Sequence, residues 1–176
     1  SEEAANETLS YARFVWTKLP APLRPPPGRD QSSLLVFPSV DSQIRTCSST
    51  ETAGIGFGDA SLVIADEFDF HKYARENYAE IKPMIDAGGG RRMVIGSAPN
   101  VLEPDSKFKE LFRQARAGTN NFYPLFIPYN VMPYRDEVWY ENERKNYDPL
   151  EFFTRYPKSE QEALTSAKDL CRFDVA

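Results

Sequence analysis

The sequence predicts an α/β fold: a parallel sheet with flanking helices, accompanied by an antiparallel hairpin. Three observations point there. First, Leu62-Val63-Ile64-Ala65 and the run at 93–97 are short, apolar and bounded by turn residues, the pattern of strands buried on both faces of a parallel sheet. Second, the segments following them carry a helical period. Third, strand, helix, strand, helix and strand succeed one another at a spacing that βαβ crossovers require.

Each element has its own signal. Leu9, Ala12, Trp16 and Leu19 fall on one face of a helix predicted over 4–19, which Pro20 and then Pro25-Pro26-Pro27-Gly28 break. The runs 33–37 and 43–47, joined by Pro38-Ser39-Val40-Asp41-Ser42, predict a hairpin. Gly54, Gly56 and Gly58 mark a loop. A helix over 72–82 is expected from the stripe Ala74, Tyr78, Ile81 and Ile85, with Pro83 ending or restarting it and Gly88-Gly89-Gly90 stopping it. The helix at 105–117 has the strongest pattern. Phe108, Leu111, Phe112 and Ala115 share a face, Asp105 can cap the start and Gly118 closes the end. A third strand is expected at 122–127, then helices at 136–145 and 159–168, the last opening on the capping-box string Ser159-Glu160-Gln161-Glu162. One domain accommodates 176 residues, with a core sheet over about 33–128 and an extension over about 129–176.

Composition narrows the classes. An apolar share of 41% with 13% aromatics supports a packed core. The apolar runs fall well short of the roughly 20 residues of a membrane span. The acidic opening Ser1-Glu2-Glu3 predicts no secretory signal or transit peptide. A net charge of −5 argues against a nucleic-acid-coating module. Two cysteines and one histidine cannot make a four-ligand Cys/His zinc site, and Cys47 and Cys171 are expected to pack as small hydrophobes in a reducing cytosol.

Chemistry in open α/β sheets gathers beyond the carboxyl ends of strands. Asp66 and Glu67 follow the first apolar run; Ser97, Ala98, Pro99 and Asn100 follow the second. An apolar run ending in Asp-Glu is the Walker B pattern of nucleotide hydrolases. The aspartate serves Mg²⁺, which wants hard oxygen ligands, and the glutamate polarises the attacking water. The plain alternative is an acidic pair at a helix start, favoured by the macrodipole. Ser97 could sense a γ-phosphate, or simply make a turn. The string Gly-x-x-x-x-Gly-Lys-[Ser/Thr] that cradles phosphates does not occur in these residues. Gly88-Gly89-Gly90-Arg91-Arg92 lies between a helix and a strand, the reverse of the order that a phosphate loop needs.

Taken in order, these segments resemble a known family. Phe37-Pro38-Ser39-Val40-Asp41-Ser42-Gln43-Ile44, Ala53-Gly54-Ile55-Gly56 and Leu62 through Phe68 look like the ATPase domain of large terminase subunits, the motors that package DNA into the heads of tailed bacteriophages. Ile81-Lys82-Pro83 and Val94-Ile95-Gly96-Ser97-Ala98-Pro99-Asn100 are similar to the family's post-Walker-B helix and coupling motif. Pro133-Tyr134-Arg135-Asp136 with Trp139, and Arg155-Tyr156-Pro157 with Glu162-Ala163-Leu164, resemble its closing segments.

The resemblance implies part of a P-loop, RecA-like sheet, with Asp66 on Mg²⁺, Glu67 as the catalytic carboxylate, and Ser97, Ala98, Pro99 and Asn100 in the nucleotide-sensing motif that couples hydrolysis to movement. It implies ATP and Mg²⁺ as cofactors of the parent protein. Double-stranded DNA, the portal and the small terminase subunit are the implied partners, possible homo-oligomers form, and the setting is the cytoplasm of the bacterial host. It also implies a Walker A segment upstream and a nuclease domain downstream. Where the family often has a basic residue before the glycine, this chain has Ile55.

Two other readings stand beside it: a non-catalytic remnant or interaction domain with a P-loop-like sheet, and a helicase-like half, since Ser97-Ala98-Pro99 also resembles a helicase Ser-Ala-Thr. His71 reads as polar surface or as a neighbour of the acidic pair. Arg91, Arg92, Arg113 and Arg116 read as a solvated face, or as contacts to DNA or a neighbouring subunit.

Overall fold

The computed structural model describes residues 2–55, 57–86 and 92–165. Gly56, the glycine run 88–90, Arg91, Cys171 and the end of the helix expected at 159–168 lie outside the described residues. The fold is mixed α/β, with one antiparallel and one parallel sheet.

Helix α1 (Glu2–Lys18) buries Leu9 and lays Ala12 and Trp16 over Leu35 and Phe37. Those last two belong to β2 (Leu34–Phe37), which pairs antiparallel with β3 (Ser42–Arg45) and with the short β1 (Asp30–Gln31). The hairpin matches expectation; β1 does not, because its two polar residues sit inside what reads as a proline-broken loop. Register explains it. Gly28 N–H donates to the Val36 carbonyl at 2.8 Å, and Arg13 of α1 pairs with Asp30 at 2.6 Å, drawing the segment alongside β2. A Cβ at Gly28 would meet Pro38 at 2.6 Å, so only glycine allows this approach.

The second unit carries the acidic pair. Strand β4 (Leu62–Ala65) runs parallel to β5 (Arg92–Ile95), with Ile64 opposite Val94 and Ala65 opposite Ile95. Helices α2 (Ala74–Asp86) and α3 (Lys107–Arg116) connect onward. Their apolar stripes, with Ala74, Tyr78, Phe108 and Leu111, pack with Ala65, Ile95 and Phe68. Leu62 and Ile64 on the opposite face of β4 remain 53% and 67% exposed, and Val94 of β5 is 52% exposed. This corrects the expectation of a strand buried on both faces. Such burial needs layers on each side of a sheet, and the described elements supply one.

Other departures have local causes. Pro83 lies inside α2 and neither ends nor restarts it. The hydrogen bond forgone at the Ala79 carbonyl is offset by carrying Ile85 on into the core, where it is buried. The cap of α3 is Ser106, whose hydroxyl accepts from the Lys109 N–H, and not Asp105. Gly118 closes α3 at φ +68°, as its type predicts. Residues 122–127 form no strand. They keep the alternation of one, with Tyr123, Leu125 and Ile127 outward, but have no neighbouring strand to pair with among the described residues. The core sheet expected over 33–128 is therefore two sheets, of three and two strands. Cys47 is exposed rather than packed.

A third core is aromatic. Helix α4 (Glu137–Glu143) is capped by Asp136 and α5 (Pro149–Arg155) by Asp148, with Pro149 in the first turn where its missing donor costs nothing. Tyr129, Tyr140 and Phe152 are buried there, the last two with ring centroids 4.7 Å apart. The expected helix at 136–145 is split, and α5 was not expected. Helix α6 (Glu160–Ala163) starts at the Ser159 cap that its sequence announces.

Candidate functional site at the carboxyl edge of the parallel strands

Two short connections build the site. Beyond Ala65, the parallel ladder gains one more rung on each side: Gly96 N–H donates to the Ala65 carbonyl at 3.0 Å, and Phe68 N–H to the Gly96 carbonyl at 3.1 Å. Phe68 is buried and anchors the strap. Asp66 and Glu67 are therefore lifted out between two fixed points, both exposed at the strand end.

Glu67 adopts a left-handed conformation, φ 50° and ψ 41°. A residue with a Cβ pays roughly 1–2 kcal/mol there, so surrounding bonds must hold it. Glu67 N–H donates to Asp66 Oδ1 at 3.1 Å, and its Oε2 accepts from Ala98 N–H at 3.1 Å and lies 3.2 Å from Ser97 Oγ. The same Ser97 oxygen accepts the Asp69 N–H at 3.1 Å and stands 2.7 Å from the Ala98 carbonyl. A hydroxyl has one proton, so Glu67 and the Ala98 carbonyl compete for it.

Asp66, Glu67, Ser97 and Ala98, four of the residues singled out by sequence, thus meet at one edge. Asn100 meets the strap one step deeper. Its N–H donates to Asp69 Oδ2 at 2.6 Å, and its side-chain amide reaches the Asp69 carbonyl at 3.4 Å. Pro99 lies between these contacts on the same loop. His71 is half-buried and joins the group through its backbone partner: Nε2 is 2.9 Å from the Asp66 carbonyl. That carbonyl can only accept, so Nε2 carries the proton. Burial pushes the imidazole below its ordinary pKa, against the pull of Asp66.

Asp69 and Lys109 are the members that sequence reasoning missed. Both side chains are fully buried, with Nζ 3.7 Å from Asp69 Oδ2. Lys109 Nζ also donates to the Asn100 carbonyl, and to that of Glu103 at 3.0 Å. Desolvation pushes the ammonium below the ordinary lysine pKa, with Asp69 opposing. The one available signal was Asp69 itself, a third acid two positions after Glu67.

Asp66 offers an exposed carboxylate, which is the contribution that Mg²⁺ takes when phosphates and water complete its shell. Among the described residues, no three His, Cys, Asp or Glu side chains gather as a metal cage, and no glycine-rich loop leads into a helix at this edge to cradle phosphates. A polar pocket of about 380 Å³ lies beyond the strap, lined by Asp69, His71, Arg75, Asn100 and Ser106 but by neither Asp66 nor Glu67.

No helix among the described residues is long and apolar enough to cross a membrane. In comparison with known proteins, no family model matches the chain and no curated protein matches it.

Proposed function

We propose that this chain is the Walker B and coupling portion of an ATP-driven DNA-packaging motor of the large-terminase type, on a P-loop, RecA-like sheet. The observation that carries the reading is the meeting of Glu67 with Ser97 and Ala98 across two parallel strand ends. A motor needs a hydrolytic carboxylate in direct contact with a segment that can move, and this contact joins the two.

In this reading Asp66 holds Mg²⁺ of a bound ATP, and Glu67 orients and deprotonates the attacking water. The metal supplies charge neutralisation at the phosphates. The chain's own residues fix positions: the extended ladder sets Asp66, and the Ser97–Ala98 pair sets Glu67. In this geometry Glu67 Oε2 is held on the coupling loop, so a water is served by Oε1 or by a carboxylate turned away from Ala98 N–H. The uncovered face of β4 and β5 agrees with a sheet that a further layer of the parent protein covers. Double-stranded DNA, the portal and the small subunit are the partners of such a motor, in the cytoplasm of an infected bacterium.

The test is Mg²⁺-dependent ATP hydrolysis by the product of the complete reading frame. Glu67→Gln should lower kcat by about 10²–10⁴-fold, the range of a lost general base. Hydrolysis at the unsubstituted rate would remove Glu67 from the chemistry and with it this reading.

The same uncovered face favours a second reading, a non-catalytic interaction domain. It predicts no nucleotide binding in the complete product and association through Ile64 and Val94.

A further inference from the structure

The carboxylate strap and the coupling loop share one anchor that lies on neither. Lys109 projects from α3, is wholly buried, and bonds the Asn100 and Glu103 carbonyls on the loop while facing Asp69 of the strap. A surface helix seldom buries a lysine, because desolvating an ammonium is costly unless it is paired and hydrogen-bonded. Here it ties the loop, at two carbonyls, to the strap, at one carboxylate. Asp69 carries the tie outward: its N–H meets Ser97 Oγ and its Oδ2 meets the Asn100 N–H. From Lys109 to Glu67 the path is therefore continuous through Asp69 and Ser97.

We infer that Lys109 is a positioning residue, a latch on α3 that holds the coupling loop closed on the Glu67 carboxylate. The inference rests on the reading of Glu67 and Ser97 given above for its functional meaning, but the latch is a property of the chain alone. Releasing it lets the loop at 97–104 swing from the strap while the strands stay paired. Glu67 then loses its Ala98 N–H partner and becomes free to turn. Movement of α3 and the state of the carboxylate become one event.

Amide hydrogen exchange on the 176-residue chain tests this. Lys109→Met alone leaves Asp69 buried and unpaired and can unfold the protein, so the decisive variant is Lys109→Met with Asp69→Asn, which buries no charge. Asparagine still offers an acceptor to the Asn100 N–H, so faster exchange there reports an opening loop rather than a deleted bond. The latch predicts at least tenfold faster exchange at Ala98 and Asn100, with the ladder amides of Gly96 and Phe68 unchanged. Equal acceleration at all four amides would make Lys109 a general stabiliser, and unchanged exchange at Ala98 and Asn100 would make it inert. Either result overturns the inference. If the local acceleration appears while Glu67→Gln leaves hydrolysis intact, the motor assignment falls and the latch stands.

Discussion

Ser97 Oγ lies 3.2 Å from Glu67 Oε2 and 3.1 Å from the amide nitrogen of Asp69, so a single hydroxyl touches the exposed carboxylate and the buried strap behind it. The two contacts differ in consequence. The Glu67 side is open to water, which can replace the bond. Asp69 is 4% exposed, so its N–H has little water to take the place of the hydroxyl. Ser97→Ala should therefore lower unfolding stability by about 1–3 kcal/mol, the cost of a buried donor left without an acceptor. Urea denaturation reads this as a lower midpoint at unchanged slope. An unchanged midpoint would show that the Asp69 N–H does not depend on the hydroxyl.

Glu67 supplies the complementary prediction. Its φ of 50° is one that glycine adopts freely and a glutamate does not. Its carboxylate bonds are at an exposed position, where water substitutes at small cost. Glu67→Gly should keep or raise stability, by up to about 1 kcal/mol, while removing the carboxylate placed against Ala98 N–H. Strain kept at a residue that does not stabilise the fold is what a site under functional demand shows. A drop of more than about 1 kcal/mol in urea denaturation would mean that Glu67 is there for the fold.

These two residues were legible in the sequence because strand, acid and hydroxyl are local signals. An apolar run that stops at Asp-Glu, and another that stops at Ser-Ala-Pro, need no tertiary knowledge to place at strand ends. Asp69 and Lys109 were not legible. In Lys107-Phe108-Lys109-Glu110, Lys109 stands outside the apolar stripe of Phe108, Leu111, Phe112 and Ala115, and its neighbour Lys107 pairs with Glu110. Lys109 is buried where the loop just before α3 turns two carbonyls onto it and Asp69 faces it, which no period in α3 reveals. The segment at 122–127 failed in the opposite way. Its alternation is real, but a strand needs a neighbour, and alternation does not supply one. The outward faces of Ile64 and Val94 likewise depend on what packs over them, whereas their strand pairing is satisfied between β4 and β5 themselves.

His71 gives a pH test on the only histidine in the chain. Burial lowers its folded-state pKa below the ordinary 6.5. As pH falls through 6.5 the unfolded chain takes up its proton first, so stability declines until the pH passes the lower, folded-state value, and is fully retained above 6.5. Nε2–H donates to the Asp66 carbonyl in either protonation state, so the loss comes from desolvating the charge and not from breaking that bond. His71→Gln should flatten this part of the stability–pH curve. Histidine proton resonances should titrate below the ordinary range; titration at or above it would contradict the half-buried placement.

The uncovered sheet face makes the last prediction. Ile64 and Val94 are register partners, 67% and 52% exposed, with Leu62 beside them at 53%. Each would gain up to roughly 1.5–3 kcal/mol on full burial, and such a patch, on a sheet two strands wide among the described residues, favours association. The chain alone should self-associate at micromolar concentration, seen as a mass above 20.0 kDa in light scattering. Ile64→Lys with Val94→Lys should return it to a monomer. Because both side chains point away from the packed face, the unfolding free energy should shift by no more than surface substitutions do, about 0.5 kcal/mol each. In the complete reading-frame product the two readings of the chain part company. If a further layer covers this face of the sheet, the same double substitution buries two charges and unfolds the protein or abolishes hydrolysis. If the face is a docking surface, the substituted product stays folded and loses only its partner.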